Sequence, residues 1–379
     1  MTFRPVPPFS DMNKRSIITI SNLFYVLSLG STSSVMAGSL YWDINDLSGL
    51  AAGDGIWSTS VANWNSSATP VENGRVVWTN PSDAFFNASG TSIVTVSGTV
   101  EVSSMTFNGA GYTIAGSSLT LTGAGGNISV NADAAISAVI AGSVGLTKLG
   151  SSTLTLSGVN TYTGTTTVSG GKLTVSSSGL VNFTVGVTIG AGEFIYNSDT
   201  ALSQPVTFNL TGGSLSGIGT ITPGVTLSSG NTYSAGAVGD PGTQAFTGGL
   251  TLASGSIFSW DLDATTTDPG ANTANSGSYD IVTGNGTGTG TFEVVLGSNS
   301  FTDVFWNSNK TWNNIFSGSN PTFSTFAGTD VASSGLVTGE GQFTYTGSSL
   351  TWTAVPEPTS ALAGILLGAG MLRRKRVAA

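Results

Sequence analysis

The chain has no cysteine and no histidine among its 379 residues, and only 8% of them are charged. Without cysteine there is no disulfide staple, no thiolate nucleophile and no thiolate metal ligand. Without histidine the Ser-His-Asp arrangement and the commonest metal ligand are excluded as well. Soluble domains carry about 25% charged residues, so this chain has too few to coat ordinary amphipathic helices. Bases are scarcest of all. Arg4, Lys14 and Arg15 stand near the start and Arg373, Arg374, Lys375 and Arg376 near the end. Only Arg75, Lys148, Lys172 and Lys310 remain between, against eighteen of the twenty acids. A body so balanced cannot neutralise a run of phosphates, and no nucleic-acid binding is expected.

What is present points to β structure. Hydrophobic residues make up 39% of the chain, with 18 Phe, 8 Trp and 53 Gly, and Ser and Thr dominate the polar remainder. That apolar fraction is too high for disorder. The length suits two conventional domains or one elongated one, and without disulfides its stability must come from burial and hydrogen-bond ladders.

Both ends carry targeting patterns. Met12-Asn13-Lys14-Arg15 precedes an apolar stretch from Ile17 to Leu29, and small residues then close on Val35-Met36-Ala37. This order is that of a signal peptide over residues 1–37, cut between Ala37 and Gly38, and it implies a secretion translocon as partner. Pro5, Pro7 and Pro8 fit no signal peptide, which makes Met12 an alternative start. At the other end, residues 354–379 read Val355-Pro356-Glu357-Pro358, an uncharged run over 361–372, and the basic cluster 373–376. The prolines end any preceding strand, the run enters a bilayer as a short transmembrane helix, and the bases stay on the cytoplasmic side. At 1.5 Å per residue the run spans only about 18 Å of a roughly 30 Å core, so a transient anchor is expected.

This tail resembles the PEP-CTERM sorting signal of Gram-negative, exopolysaccharide-producing bacteria over about its last 25 residues. The resemblance implies processing by an exosortase-type enzyme that recognises Pro356, Glu357 and Pro358. It also implies release to the cell surface or extracellular matrix.

Between the ends the clearest unit is residues 145–175, where Leu154-Thr155-Leu156, Thr166-Thr167-Val168 and Leu173-Thr174-Val175 alternate and are separated by Gly-rich turns. Strands this short do not stand alone. The step from Leu154 to Leu173 is close to one coil of a parallel β-solenoid, whose coils bury their apolar positions in a shared column. Val94-Thr95-Val96, Leu119-Thr120-Leu121 and Leu250-Thr251-Leu252 repeat the texture at irregular spacing.

The segment 145–175 resembles the autotransporter-associated β-strand repeat of exported passenger domains, and the Trp-rich stretch before it resembles the usual lead-in. No series of barrel strands follows, so sorting through the tail is expected in place of self-transport. The expected fold is all-β, a right-handed parallel β-helix (β-solenoid) over 38–180. Residues 181–353 continue it or form a small separate β domain.

Four constellations could carry chemistry. Asp261, Asp263 and Asp268 could hold Ca²⁺, although a solvated loop explains them as well. Asp43 with Asp46, or Glu193 with Asp199, could serve as acid and base toward a glycoside, but with so few bases nearby no catalysis is expected. Trp42, Trp57, Trp64 and Trp78 could stack on sugars or cap the first coil. Asn65, Asn87 and Asn285 head glycosylation triplets that arise by chance in a chain so rich in Ser and Thr. The expected function is an exported, non-enzymatic structural or adhesive protein that meets exopolysaccharide and has no cofactor or metal. A carbohydrate-active enzyme or carbohydrate-binding protein on the same scaffold is the alternative.

Overall fold

The structure is a computed structural model that describes residues 38–177, 179–180, 186–203, 208–237, 240–262, 279–297 and 300–355. The signal-peptide stretch 1–37 and the tail from Pro356 onward lie outside these residues. Among the described residues no helix is long and apolar enough to cross a membrane, and helix is limited to the 3₁₀ turn Val304–Asn307.

The described chain is a parallel β-solenoid. Two sheets take successive strands alternately. One runs through Ser82–Phe86, Val100–Phe107, Asn127–Val130, Leu146–Leu149, Thr166–Val168, Val187–Ile189 and Phe208–Leu210. The other runs through Ser92–Val96, Tyr112–Gly116, Ala134–Ile136, Thr153–Leu156, Lys172–Ser177 and Glu193–Ser198. It continues past them to Thr325–Gly328. Pairing is parallel and in register, so that Leu154 lies beside Leu173 and Leu156 beside Val175, with Phe194 next in the column after Leu173.

The period-2 alternation explains the pattern. In Ser92–Val96 and Thr166–Val168 every second side chain turns inward and is buried, and the side chains between them face out. Each inward residue therefore stacks on its counterparts one coil above and below. At about 25 cal/mol per Å² of apolar surface, the stack, not any single short strand, supplies the stability. The turns need glycine where coils approach closely: Gly171 has φ +59°, and a Cβ there would press on the Ser152 carbonyl.

After Leu210 the first sheet is replaced. The long strand Thr243–Leu252 takes Thr220–Ile221 and Val225–Leu227 on one side and Ile281–Gly288 on the other. The second sheet runs on uninterrupted through Thr232–Ala237, Ile257–Leu262 and Thr291–Leu296.

At both ends the pairing turns antiparallel. Gly38–Trp42 pairs with Trp64–Asn65, which pairs with Arg75–Val76. At the far end Lys310–Trp312, Ser349–Ala354, Gly341–Thr346 and Leu336–Val337 form an antiparallel sheet. Phe343-Thr344-Tyr345 lies in this closing hairpin and not in a coil.

Candidate functional site

The coil at 145–175 is built around four buried polar residues, Lys148, Asn160, Tyr162 and Thr166. Lys148 points inward from Leu146–Leu149 and is wholly buried, because a charged head can sit there only if its protons are taken up. Its Nζ donates to the carbonyls of Leu149 (2.9 Å), Gly150 (3.0 Å) and, one coil on, Gly170 (3.1 Å). Burial pulls its pKa down to about 8, opposed by the charge of Asp133. Asn160 fills a turn. Its Oδ1 accepts from the Ile140 amide at 2.8 Å and its Nδ2 donates to the Gly158 carbonyl at 3.0 Å. Tyr162, two residues on, buries its ring and pairs its hydroxyl with that of Thr166 at 2.6 Å.

The outward side chains form columns. In the first sheet Asp83, Ser104, Asn127, Thr147, Thr167, Thr188 and Asn209 are neighbours from strand to strand. Adjacent strands lie about 4.8 Å apart, so this face presents hydroxyls and amides at a regular step with no base among them. At a turn Asn108 donates to Asn87, and Asn131 to Asn108, both at 2.8 Å, forming an exposed amide ladder. The ladder was readable as asparagines recurring at coil spacing. A second buried turn asparagine, Asn231, accepts from Gly212 and Gly213 and donates to Leu210 and Ser228. Its signal was the tripeptide Asn231-Thr232-Tyr233, which repeats Asn160-Thr161-Tyr162.

The candidate chemistry resolves into structure. Asp46 is held by Arg75 through two bonds of 2.7 and 2.8 Å, and that hydrogen-bonded guanidinium keeps its carboxyl below the usual range. Its supposed partner Asp43 is buried and accepts from the amides of Asn45 and Ala51. Glu193 pairs with Lys172 at 3.0 Å and accepts from Ser216 at 2.7 Å, while Asp199 is exposed in a turn. None of Arg75, Lys148 and Lys172 thus faces a groove with two open carboxylates. Trp42, Trp57, Trp64 and Trp78 are at most 1% exposed, which excludes a sugar platform and makes them a packed end. Asn65 and Asn285 accept backbone amides through their own Oδ1.

Asp261 is no solvated loop residue, being 1% exposed, whereas Asp263 and Asp268 lie outside the described residues. Gly38 opens the first strand and pairs with Ser82. Val355 is exposed, and its amide donates to the Glu340 carbonyl. Ala37, Pro356, Glu357, Pro358, Arg373, Arg374, Lys375 and Arg376 lie outside the described residues. A hollow of about 560 Å³ is lined by Glu293, Ser300 and Asp330 among others, with no base in its lining.

Two similarities bear on this surface. The family described as Passenger-associated-transport-repeat matches residues 146–175, the coil of Lys148, Asn160 and Tyr162. The adhesin BmaC autotransporter of Brucella suis biovar 1 (strain 1330) is 34% identical to this chain over 197 residues. The match covers 49% of this chain and 6% of that protein, so the chain corresponds to a small part of its relative.

Proposed function

We propose that the protein is an exported, non-enzymatic adhesive or structural protein of a Gram-negative cell surface. It acts through the outward polar columns of its solenoid. The observation that carries the reading is the column from Asp83 to Asn209, a regular, base-free face on a chain similar to part of an adhesin passenger. Such a face suits many weak hydrogen bonds to hydroxylated polymers. Exopolysaccharide is the partner this reading names, because its hydroxyls match Ser, Thr and Asn donors and acceptors at repeated spacing. After export through the translocon, residues 361–372 hold the chain briefly in the membrane. An exosortase-type enzyme then acts near Pro356-Glu357-Pro358 and frees the body for the surface or matrix.

The test compares cells with and without the full chain for attachment and exopolysaccharide retention. It adds a variant carrying Thr147→Ala, Thr167→Ala and Thr188→Ala. Loss of attachment in the null strain and partial loss in the variant support the reading. Equal attachment by all three, or release of new reducing ends from polysaccharide by the purified protein, overturns it. Mass spectrometry of surface material checks the sorting step: a terminus near Pro356 is expected, and intact Arg373 to Arg376 argues against it.

A further inference from the structure

Three asparagines are each followed by glycine, as Asn73-Gly74, Asn108-Gly109 and Asn285-Gly286. Glycine has no Cβ to shield its own nitrogen, so such a pair can close on itself wherever the asparagine carboxamide and the glycine amide are free to meet. The fold treats the three pairs differently.

Asn108 sits inside the amide ladder, its Nδ2 donating to Asn87 and its Oδ1 accepting from Asn131, both at 2.8 Å. The Gly109 amide donates to the Phe86 carbonyl one coil back at 2.9 Å, and Gly109 is buried. Asn285 accepts the Ser319 amide at 3.0 Å, and the Gly286 amide donates to the Ser319 carbonyl at 2.7 Å. In both pairs the carboxamide and the nitrogen it would have to meet are engaged by other segments.

Asn73 stands in the hairpin that joins Trp64–Asn65 to Arg75–Val76. It is exposed, as are Val71 and Glu72 before it, and its backbone is left-handed with φ +59°. Its amide donates to the Asp46 carbonyl at 3.0 Å, but among the described residues its carboxamide has no hydrogen-bond partner. The Gly74 amide bonds to no other coil and serves only its own turn at Glu72 and Asn73.

We propose that Asn73 is a site of spontaneous modification, which loses ammonia by attack of the Gly74 nitrogen and then takes up water, while the fold protects Asn108 and Asn285. The Gly74 nitrogen gives its proton to solvent and bonds to Asn73 Cγ. The Cγ–Nδ2 bond breaks, and Nδ2 takes up a proton and leaves as ammonia. Water then opens the five-membered imide. Attack at Cγ leaves aspartate, and attack at the backbone carbonyl carbon leaves isoaspartate, whose main chain runs through Cγ. Nothing is oxidised or reduced. Either product places a new carboxylate two residues before Arg75, the partner of Asp46.

The experiment incubates the full chain at mildly alkaline pH, which favours loss of the glycine amide proton, both folded and in guanidinium chloride. Peptides are then mapped by mass spectrometry over time. In the folded protein the mass gain of an amide turned to an acid should appear at Asn73 at least about tenfold faster than at Asn108 or Asn285, whose reaction must await local opening. In denaturant the three rates should converge. Gly74→Ala should slow the reaction at Asn73. The hairpin accepts that change with a small shift, since the added Cβ would lie 3.0 Å from Asn65 Nδ2 and 3.2 Å from the Val71 carbonyl oxygen. Asn108 or Asn285 converting as fast as Asn73 in the folded protein overturns the proposal. So does an Asn73 that survives in the folded protein over times at which the denatured chain converts, or an undiminished rate in Gly74→Ala.

Discussion

The middle coils and the two ends of this solenoid solve different problems. Between Trp78 and Trp260 there is no tryptophan, and the column is Val, Ile, Leu and a few Tyr and Phe stacked in register. At the first end Trp42, Trp57 and Trp64 pack around Phe86, Trp78 packs on Trp57 and Trp64, and Trp42 and Trp64 meet edge to face with centroids 5.2 Å apart. At the other, Trp306, Trp312 and Trp352 pack on Phe343 and Phe301. All eight tryptophans are buried. A middle coil is covered by its neighbours, so a branched aliphatic side chain suffices. An end coil has a neighbour on one side only, and the missing coil is replaced by large rings and a crossing antiparallel strand.

Replacing an end residue should break this division most severely. Trp64→Ala should cost about 3–5 kcal/mol and Leu154→Ala about 2–5 kcal/mol, both as cavity losses. Their reach should differ. Hydrogen exchange should rise over 38–107 for Trp64→Ala while residues 187–210 stay protected, and Leu154→Ala should loosen the coils on both sides of it. Uniform loss of protection in both would show that ends and middle are one cooperative unit.

A smaller effect tests the turn that joins coils. Asn160→Ala leaves the Ile140 amide and the Gly158 carbonyl without their side-chain partner, a loss of about 1–3 kcal/mol readable by denaturant titration. Asn231→Ala should match or exceed it, since four contacts end there. The smallest change is expected at the surface. Lys172→Gln removes a pair whose lysine side chain is 50% exposed, and at about 0.2–1 kcal/mol its effect should shrink further in high salt.

The alternating triplets were enough to read the middle of the fold. Leu154-Thr155-Leu156 and Leu173-Thr174-Val175 announce their inward positions, and their spacing announces the coil. Past residue 181 the same sheet continues, yet its strands begin with Ser214, Thr232 and Thr291 and bury Ser216, Ser234 and Ser259 on what should be an open face. Alternation fails as a guide wherever a later segment covers the outer side, as Asp280, which accepts from the Ser234 hydroxyl, does. The tryptophans were readable as a cap or as a platform, and only packing decides between them. By sequence Asp261 reads as a calcium ligand or a solvated loop residue, yet it is buried and its amide donates to Asp280 nineteen residues on, a contact that no spacing rule predicts.

The step from Leu154 to Leu173 carries a consequence for how such proteins change size. A cap touches only the coil next to it, and a middle coil touches only the coils before and after. A whole coil inserted or removed in register therefore leaves every other contact in place, while a partial one shifts all later side chains to the wrong face. Length becomes a quantity that varies in units of one coil, and the polar columns lengthen with it. The relative of which this chain matches 6% is much longer, as a fold that counts in coils permits.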